Sequence, residues 1–180
     1  MSRIAKKPIN IPEKVTVAVG GQEIKVKGPL GEMQIPLLPD FEVRVDGQLL
    51  SVRPLVLNKK TKPLWGTLAA KLKNALKGVT EGFSKQLEVE GIGYRVALEN
   101  NRLVLNIGYS HPVFIDIPPD LKVSTEKNTI TIYGIDKEKV GSFAAYLRKQ
   151  RPPNVYKGYG IRYSDEKLRR KPTKKLVSAG

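Results

Sequence analysis

The feature that most constrains the fold is an internal repeat: patterns of the first half return, in the same order, in the second half. Leu38-Pro39-Asp40 has its counterpart in Pro118-Pro119-Asp120, and residues 66–72 have theirs in residues 141–147. The offset falls from 80 to 75 residues between these points, which a five-residue deletion in the intervening loop explains. A chain of 180 residues with this repeat predicts two small domains of one design.

Alternating apolar residues at the start of each half predict antiparallel strands joined by short turns. Residues 41–45 alternate up to Asp46-Gly47, after which the alternation resumes. This dipeptide predicts a two-residue type I′ turn, because both central residues of that turn need positive φ. Asn100-Asn101 takes the equivalent place in the second half.

After the strands of each half, the apolar residues change to the spacing of an amphipathic helix. In the first half this spacing begins at Leu64, with Trp65 as a core anchor. The apolar positions are Trp65, Leu68, Ala69, Leu72, Ala75, Leu76 and Val79 in the first half, and Val140, Phe143, Ala144 and Leu147 in the second.

These patterns predict an α+β fold of two tandem duplicated domains, each a small, mostly antiparallel sheet packed against a helix. We place an N-terminal domain at residues 1–81, a C-terminal domain at residues 82–165 and a basic tail at residues 166–180. The tail contains Pro172 and ends in small residues, so we expect it to be poorly ordered without a partner.

The charge indicates a polyanionic partner, either a nucleic acid or an anionic membrane. The chain has 32 Lys and Arg against 17 Asp and Glu, for a net charge of +15. Residues 1–81 carry a net charge of +7, residues 82–140 carry −1 and residues 141–180 carry +9. Two basic blocks around a neutral middle predict two contact surfaces.

The residue inventory gives no support for catalysis or metal binding. The absence of cysteine excludes disulfides, thiolate chemistry and cysteine-ligated zinc. The one histidine, His111, lies in a loop of glycine, serine and proline, and Glu88 and Glu90 alternate with apolar residues as on an exposed sheet face. We therefore predict no catalytic residue, no metal, no cofactor and no small-molecule substrate.

Targeting and phosphate-binding motifs are also lacking. No apolar run approaches the roughly 20 residues that span a bilayer, and Pro8 and Asn10 interrupt the start of the chain where a signal peptide would be apolar. We expect a soluble, unprocessed protein. Gly91-Ile92-Gly93 and Gly158-Tyr159-Gly160 lack the third glycine of a dinucleotide loop and indicate bulges or close backbone approaches.

Aromatic and basic residues are mixed near the C-terminus, as on surfaces that stack on bases and meet phosphates. Tyr156, Tyr159 and Tyr163 could each meet RNA or belong to a buried strand, and we assign burial to about half of them. The predicted RNA-binding residues are Arg148, Arg151, Lys157, Gly158, Tyr159, Gly160, Arg162, Lys167, Arg169, Arg170, Lys171, Lys174 and Lys175. A secondary set consists of Arg3, Lys6, Lys7, Lys59, Lys60 and Lys62, the last three in the loop before the first helix.

Several of these segments resemble one known family, the bacterial type of ribosomal protein L6 of the large subunit. The resemblance rests on residues 151–163, RPPNVYKGYGIRY, on residues 2–9, and on residues 86–96 and 108–113. It covers essentially the whole chain. Tyr159 stands where the family usually has lysine.

The resemblance implies a non-enzymatic protein of the cytoplasmic ribosome that binds large-subunit rRNA, mainly through the C-terminal domain and tail. It also implies neighbouring ribosomal proteins at the stalk base, with the sarcin-ricin loop and docked translational GTPases nearby. Two other classes remain open from the residues alone. A membrane-surface module would need an amphipathic tail helix, which Pro172 interrupts, and an RNA-modifying enzyme would need a catalytic constellation.

Overall fold

The computed structural model describes residues 6–172, which form two compact units. The first unit holds the described residues through Phe83 together with Gly134–Lys137. The second holds Ser84–Tyr133 and the described residues from Glu138 onward. Each unit contains one long helix and two small sheets.

The first unit consists of six strands followed by a helix. The strands are β1 (Ile9–Asn10), β2 (Thr16–Gly20), β3 (Glu23–Gly28), β4 (Gly31–Pro36), β5 (Phe41–Asp46) and β6 (Leu49–Pro54), and the helix is α1 (Thr61–Thr80). They form two three-stranded antiparallel sheets, ordered β1-β6-β5 and β2-β3-β4. Alternate strand residues such as Ile24, Val26 and Leu50 are fully buried and share a core with Leu72 of α1.

Helix α1 begins three residues before the position that apolar spacing predicts. Pro63 lies in its first turn, where a proline is tolerated because the first backbone N–H groups of a helix have no partner within it. Lys62 therefore belongs to the helix and not to the preceding loop, contrary to the sequence prediction. The apolar stripe is confirmed, and the Trp65 indole N–H donates to the Val52 carbonyl at 2.8 Å while its ring packs on the core.

The second unit repeats this plan with a different ending. Its elements are β7 (Phe83–Glu90), which begins at the last residue of the first unit, β8 (Arg95–Glu99), β9 (Arg102–Asn106), β10 (Val113–Asp116), β11 (Leu121–Glu126), β12 (Thr129–Gly134), α2 (Lys137–Gln150) and β13 (Gly160–Tyr163). The sheets are ordered β10-β9-β8 and β11-β12-β7-β13. The strand β13 has no counterpart after α1 among the described residues, so the final strand distinguishes the two halves.

The predicted α+β class and duplicated plan are confirmed, with two corrections in detail. Each half has two small sheets where the patterns suggested one. The turn between β5 and β6 has Gly47 and Gln48 as its central residues, because Asp46 pairs with Leu49. Only Gly47 has positive φ there, which matches type II′ and not the predicted type I′. Asn100 and Asn101 both have positive φ, as type I′ requires.

Gly78 and Gly141, two of the glycines in the helices, differ in what surrounds them, and this difference predicts opposite effects of substitution. A Cβ on Gly78 of α1 would lie 2.1 Å from the Ile135 carbonyl oxygen, whereas a Cβ on Gly141 of α2 would meet nothing within 4 Å. Gly78→Ala should therefore destabilise the protein by about 1–3 kcal/mol, as overpacking does. Gly141→Ala should stabilise it by about 0.5–1 kcal/mol, because glycine costs backbone entropy in a helix.

Urea unfolding of the full chain followed by circular dichroism measures both changes. Equal effects of the two substitutions would contradict the close packing of α1 against residue 135.

Candidate nucleic-acid interface

The C-terminal region of the second unit is fixed by strand β13, which pairs antiparallel with β7. Ile161 and its partner Val89 are both buried, so this face belongs to the core. Arg162 lies directly opposite Glu88 on the other face. Helix α2 ends before Pro152, because proline disfavours helical backbone in the preceding residue and lacks an N–H group.

Arg162 is held by two carboxylates of β7. Its guanidinium Nε and Nη2 donate to Glu88 Oε2 at 3.0 and 2.8 Å, and these hydrogen bonds are the main reason that its pKa is raised. Nη1 lies 3.2 Å from Glu90 Oε2, an ion pair in which that buried oxygen accepts no hydrogen bond among the described residues. Arg162 therefore organises the strand pair, although the sequence assigned it to RNA.

Arg148 of α2 has a similar internal role. Its guanidinium donates two parallel hydrogen bonds to Glu166, from Nε to Oε2 at 2.9 Å and from Nη2 to Oε1 at 2.6 Å. The hydrogen bond from Arg148 is the largest cause that lowers the pKa of Glu166 below its ordinary value. Arg148 and Lys85 also lie over the Tyr163 ring, at 5.7 and 5.4 Å from its centroid.

The glycines of the predicted interface have a structural role. A Cβ on Gly160 would lie 2.6 Å from Pro153 Cα, and a Cβ on Gly158 would lie 2.7 Å from Arg170 Nη2. Both glycines are buried, and protein atoms occupy the space that a side chain at either position would need. The close backbone approach predicted from the glycine pair is confirmed at Gly160, which lies against the backbone of Pro152 and Pro153.

The described part of the tail, residues 166–172, lies against the loop that precedes β13. The Lys171 N–H donates to the Val155 carbonyl at 2.9 Å, and Arg170 Nη2 lies 3.6 Å from Glu90 Oε1. These contacts place Arg170 and Lys171 beside the loop, although residues 166–172 form neither helix nor strand. The expectation that the tail is poorly ordered without a partner stays a prediction. The predicted residues Lys174 and Lys175 lie outside the described residues.

Apart from Arg170, which is exposed but lies against Glu90, four cations are exposed between residues 157 and 172: Lys157, Lys167, Arg169 and Lys171. Within residues 6–172, none of them has a carboxylate partner, in contrast to Arg148, Arg162 and Arg170. The predicted set thus divides into arginines that hold the segment in place and cations that face solvent. We call these four exposed residues the C-terminal cation row.

Arg151 belongs to a separate cluster of aromatic residues. Its guanidinium lies over the Tyr109 ring at 4.9 Å from the centroid, and hydrogen bonds with Tyr109 and Tyr94 raise the pKa of Arg151. The Tyr109 hydroxyl donates to the Gln150 carbonyl at 2.8 Å. Neither tyrosine was predicted as a site residue from the sequence. The sequence feature that could have indicated them is that each directly follows a glycine, Gly93 or Gly108.

The other sequence-predicted residues have simpler surroundings. Lys6, Lys7, Lys59, Lys60 and Lys62 are exposed on the first unit, and Arg3 lies outside the described residues. Tyr156 is exposed, whereas Tyr159 and Tyr163 are half-buried, so none of the three is a fully buried core residue. His111 is exposed in the loop between β9 and β10.

The described residues contain no cluster of three or more His, Asp or Glu that could hold a metal ion. Neither helix in residues 6–172 is long and apolar enough to cross a membrane.

The fold and this surface define a duplicated α+β protein whose second half exposes four cations that have no carboxylate partner within residues 6–172. The family model described as ribosomal protein L6 matches residues 11–82 and 90–164, one segment in each half. The chain belongs to the ribosomal protein L6 family. It is therefore a ribosomal protein with a structural and not an enzymatic role, as the resemblance implied.

Individual relatives match the chain over nearly its full length. The large ribosomal subunit protein uL6 of Thermotoga maritima is 47% identical over 183 residues, covering 97% of this chain and 100% of the relative. The protein of the same description from Thermotoga neapolitana is 46% identical with the same coverage. That of Rhodopseudomonas palustris strain HaA2 is 44% identical over 176 residues, covering 97% of this chain and 99% of the relative.

The Arg148–Glu166 pair generates a prediction about stability and pH. Glu166→Gln should destabilise the protein by about 1 kcal/mol at pH 7, because the pair is bidentate but partly exposed. Since the pKa of Glu166 is lowered from 4.5, the stabilisation is fully present above that value and is lost as the pH falls through the lower folded pKa.

Urea unfolding at neutral and acidic pH measures this difference. Glu126→Gln is the control, because Glu126 is exposed and has no partner among the described residues. If Glu166→Gln and Glu126→Gln have the same effect at pH 7, the pair contributes nothing to stability.

Proposed function

We propose that this protein is a structural constituent of the large ribosomal subunit, bound to the cytoplasmic ribosome, and that it binds large-subunit rRNA through its second unit. The observation that carries the proposal is the C-terminal cation row, four exposed cations that have no acidic partner within residues 6–172, on a segment with backbone hydrogen bonds to the rest of the unit. The proposal is also supported by the names of the relatives, which describe them as proteins of the large ribosomal subunit.

The mechanism is electrostatic docking followed by recognition of shape. Each phosphate that a lysine or arginine neutralises releases condensed counterions from the RNA, which favours binding entropically. The bases of an A-form helix are hidden in its deep major groove, so a fixed row of cations reads the spacing of phosphates and 2′-hydroxyls instead. Arg148 and Arg162 contribute indirectly, because their ion pairs hold Glu166 and strand β13 in place.

The cations of the first unit form the proposed secondary contact. Lys59, Lys60 and Lys62 are exposed together at the start of α1, and Lys6 and Lys7 are exposed beside β1. Their separation in sequence from the C-terminal cation row fits the two basic blocks of the charge distribution.

The family resemblance supports a more specific location. We propose that the protein lies near the stalk base and the sarcin-ricin loop, contacts neighbouring ribosomal proteins there, and supports the region where translational GTPases dock. Chemical cross-linking of intact large subunits tests this location. Cross-links to stalk-base proteins are expected, and cross-links only to proteins of the opposite side of the subunit would contradict it.

The double variant Lys157→Gln/Lys171→Gln should bind large-subunit rRNA more weakly and with a shallower salt dependence. Removing one lysine–phosphate ion pair should reduce the log–log slope of affinity against salt by roughly 0.7–0.9. Lys122→Gln/Lys127→Gln is the charge-matched control, because both lysines are exposed in the same unit outside the proposed interface. Filter binding at several salt concentrations measures the slopes.

Equal slopes for the two double variants would show that the net charge of the unit, and not the C-terminal cation row, determines binding.

Membership of the subunit is tested by sedimentation. A tagged copy of the chain should co-migrate with large subunits in a sucrose gradient after a moderate salt wash, because several phosphate contacts act together. Migration of the washed protein at the top of the gradient would contradict the proposal. The Lys157→Gln/Lys171→Gln variant should be released at lower salt than the control variant.

A further inference from the structure

Two glycine-containing loops of the second unit close around one tyrosine ring. The loop between β7 and β8 contains Gly91 and Gly93, and the loop between β9 and β10 begins near Gly108. A Cβ on Gly91 would lie 2.5 Å from Tyr94 Cδ2, and one on Gly108 would lie 3.0 Å from Tyr94 Cε1. Both loops therefore contact the Tyr94 ring, which fixes them beside each other.

The side chains that these loops present are exposed. Ile92, between the two glycines, is 83% exposed, the highest value among the large hydrophobic residues described. Tyr109 is 46% exposed and carries Arg151 over its ring. We call Ile92, Tyr109 and Arg151 the glycine-loop platform.

The Ile92 side chain does not contribute to the core, and its backbone belongs to a loop that packs on the Tyr94 ring at Gly91. Its apolar surface is exposed to water, and a binding partner that covered this surface would gain free energy from its burial. The Tyr94 ring lies against Gly91 and Gly108, Arg151 lies over the Tyr109 ring, and the Tyr109 hydroxyl donates to the Gln150 carbonyl, so the two loops are tied to each other and to the end of α2.

The geometry points to a second RNA contact, in which the glycine-loop platform takes an unpaired nucleotide, with its base against Tyr109 and its sugar against Ile92. This inference rests on the proposed function, because it requires the protein to bind rRNA. It adds a site of different chemistry: stacking and apolar contact in place of the phosphate contacts of the C-terminal cation row.

Charge favours RNA over a protein as the occupant. The loops at residues 91–94 and 107–112 contain no acidic side chain, Arg95 directly follows the first loop, and Arg151 lies over the Tyr109 ring. A cation stacked on a tyrosine ring is a surface on which an unpaired base can stack, and such stacking does not need hydrogen bonds to the base edge. Unpaired nucleotides are also the part of RNA whose bases are accessible to proteins.

Directed cleavage in assembled large subunits tests the location. The chain has no cysteine, so Ile92→Cys and Lys157→Cys each create one attachment point for an iron chelate, and the unmodified chain is the background control. Cleavage of rRNA from both positions is expected, with the strands cut from residue 92 including an unpaired nucleotide. Cleavage from residue 157 alone would overturn this inference and leave the proposed function intact, and cleavage from neither would overturn both.

Binding of the full chain to large-subunit rRNA tests the chemistry. Ile92→Ser and Tyr109→Leu should each raise the Kd about tenfold, because each removes apolar or stacking contact with one nucleotide. Tyr109→Phe keeps the ring and should change the Kd less than Tyr109→Leu. Val56→Ser removes a 62% exposed side chain from the first unit and should leave the Kd unchanged.

Thermal unfolding separates binding from folding in these variants. Ile92→Ser should melt at the temperature of the parent protein, because the side chain is almost fully exposed. An unchanged Kd for Ile92→Ser, or equal losses for Tyr109→Phe and Tyr109→Leu, would overturn the stacking site.

Discussion

The pairing of β13 with β7 is the interaction on which the C-terminal surface depends. It buries Ile161 against Val89 on one face and places Arg162 opposite Glu88 on the other. After the strand, Arg170 forms an ion pair with Glu90 of β7, and the Lys171 N–H donates to the Val155 carbonyl. These two contacts connect the final segment to the strand pair and to the loop before it. Without this strand pair, the cations of the final segment would have no common geometry.

This arrangement separates two uses of positive charge within one segment. Arginines suit internal pairs because the planar guanidinium can donate several hydrogen bonds to carboxylates, as Arg148 does to Glu166. Lysines and Arg169 are left to face solvent, where a strongly hydrated charge costs little before a partner arrives. The paired arginines thus help to position the segment, and the exposed cations are left to meet the phosphates and 2′-hydroxyls by which proteins recognise RNA shape.

Sequence predicted the duplicated α+β plan because apolar periodicity and turn residues are local signals, as the stripe of α2 and the Asn100-Asn101 turn illustrate. It did not predict the partners of Arg162 and Arg148, because these depend on the strand register and on contacts between residues far apart in the chain. Alternation with apolar residues predicted that Glu88 lies on an exposed sheet face, whereas β13 places Arg162 directly opposite it. The Tyr94 and Tyr109 cluster was missed for the same reason.

The most direct measurement is a high-resolution structure of the large ribosomal subunit that contains this chain. The account predicts that the charged groups of four side chains lie at ion-pair distance from rRNA phosphates, those of Lys157, Lys167, Arg169 and Lys171. It also predicts that the Arg162–Glu88 and Arg148–Glu166 ion pairs are retained in the subunit. Exposed lysines facing bulk water, with the paired arginines turned away from their carboxylates toward phosphates, would contradict it.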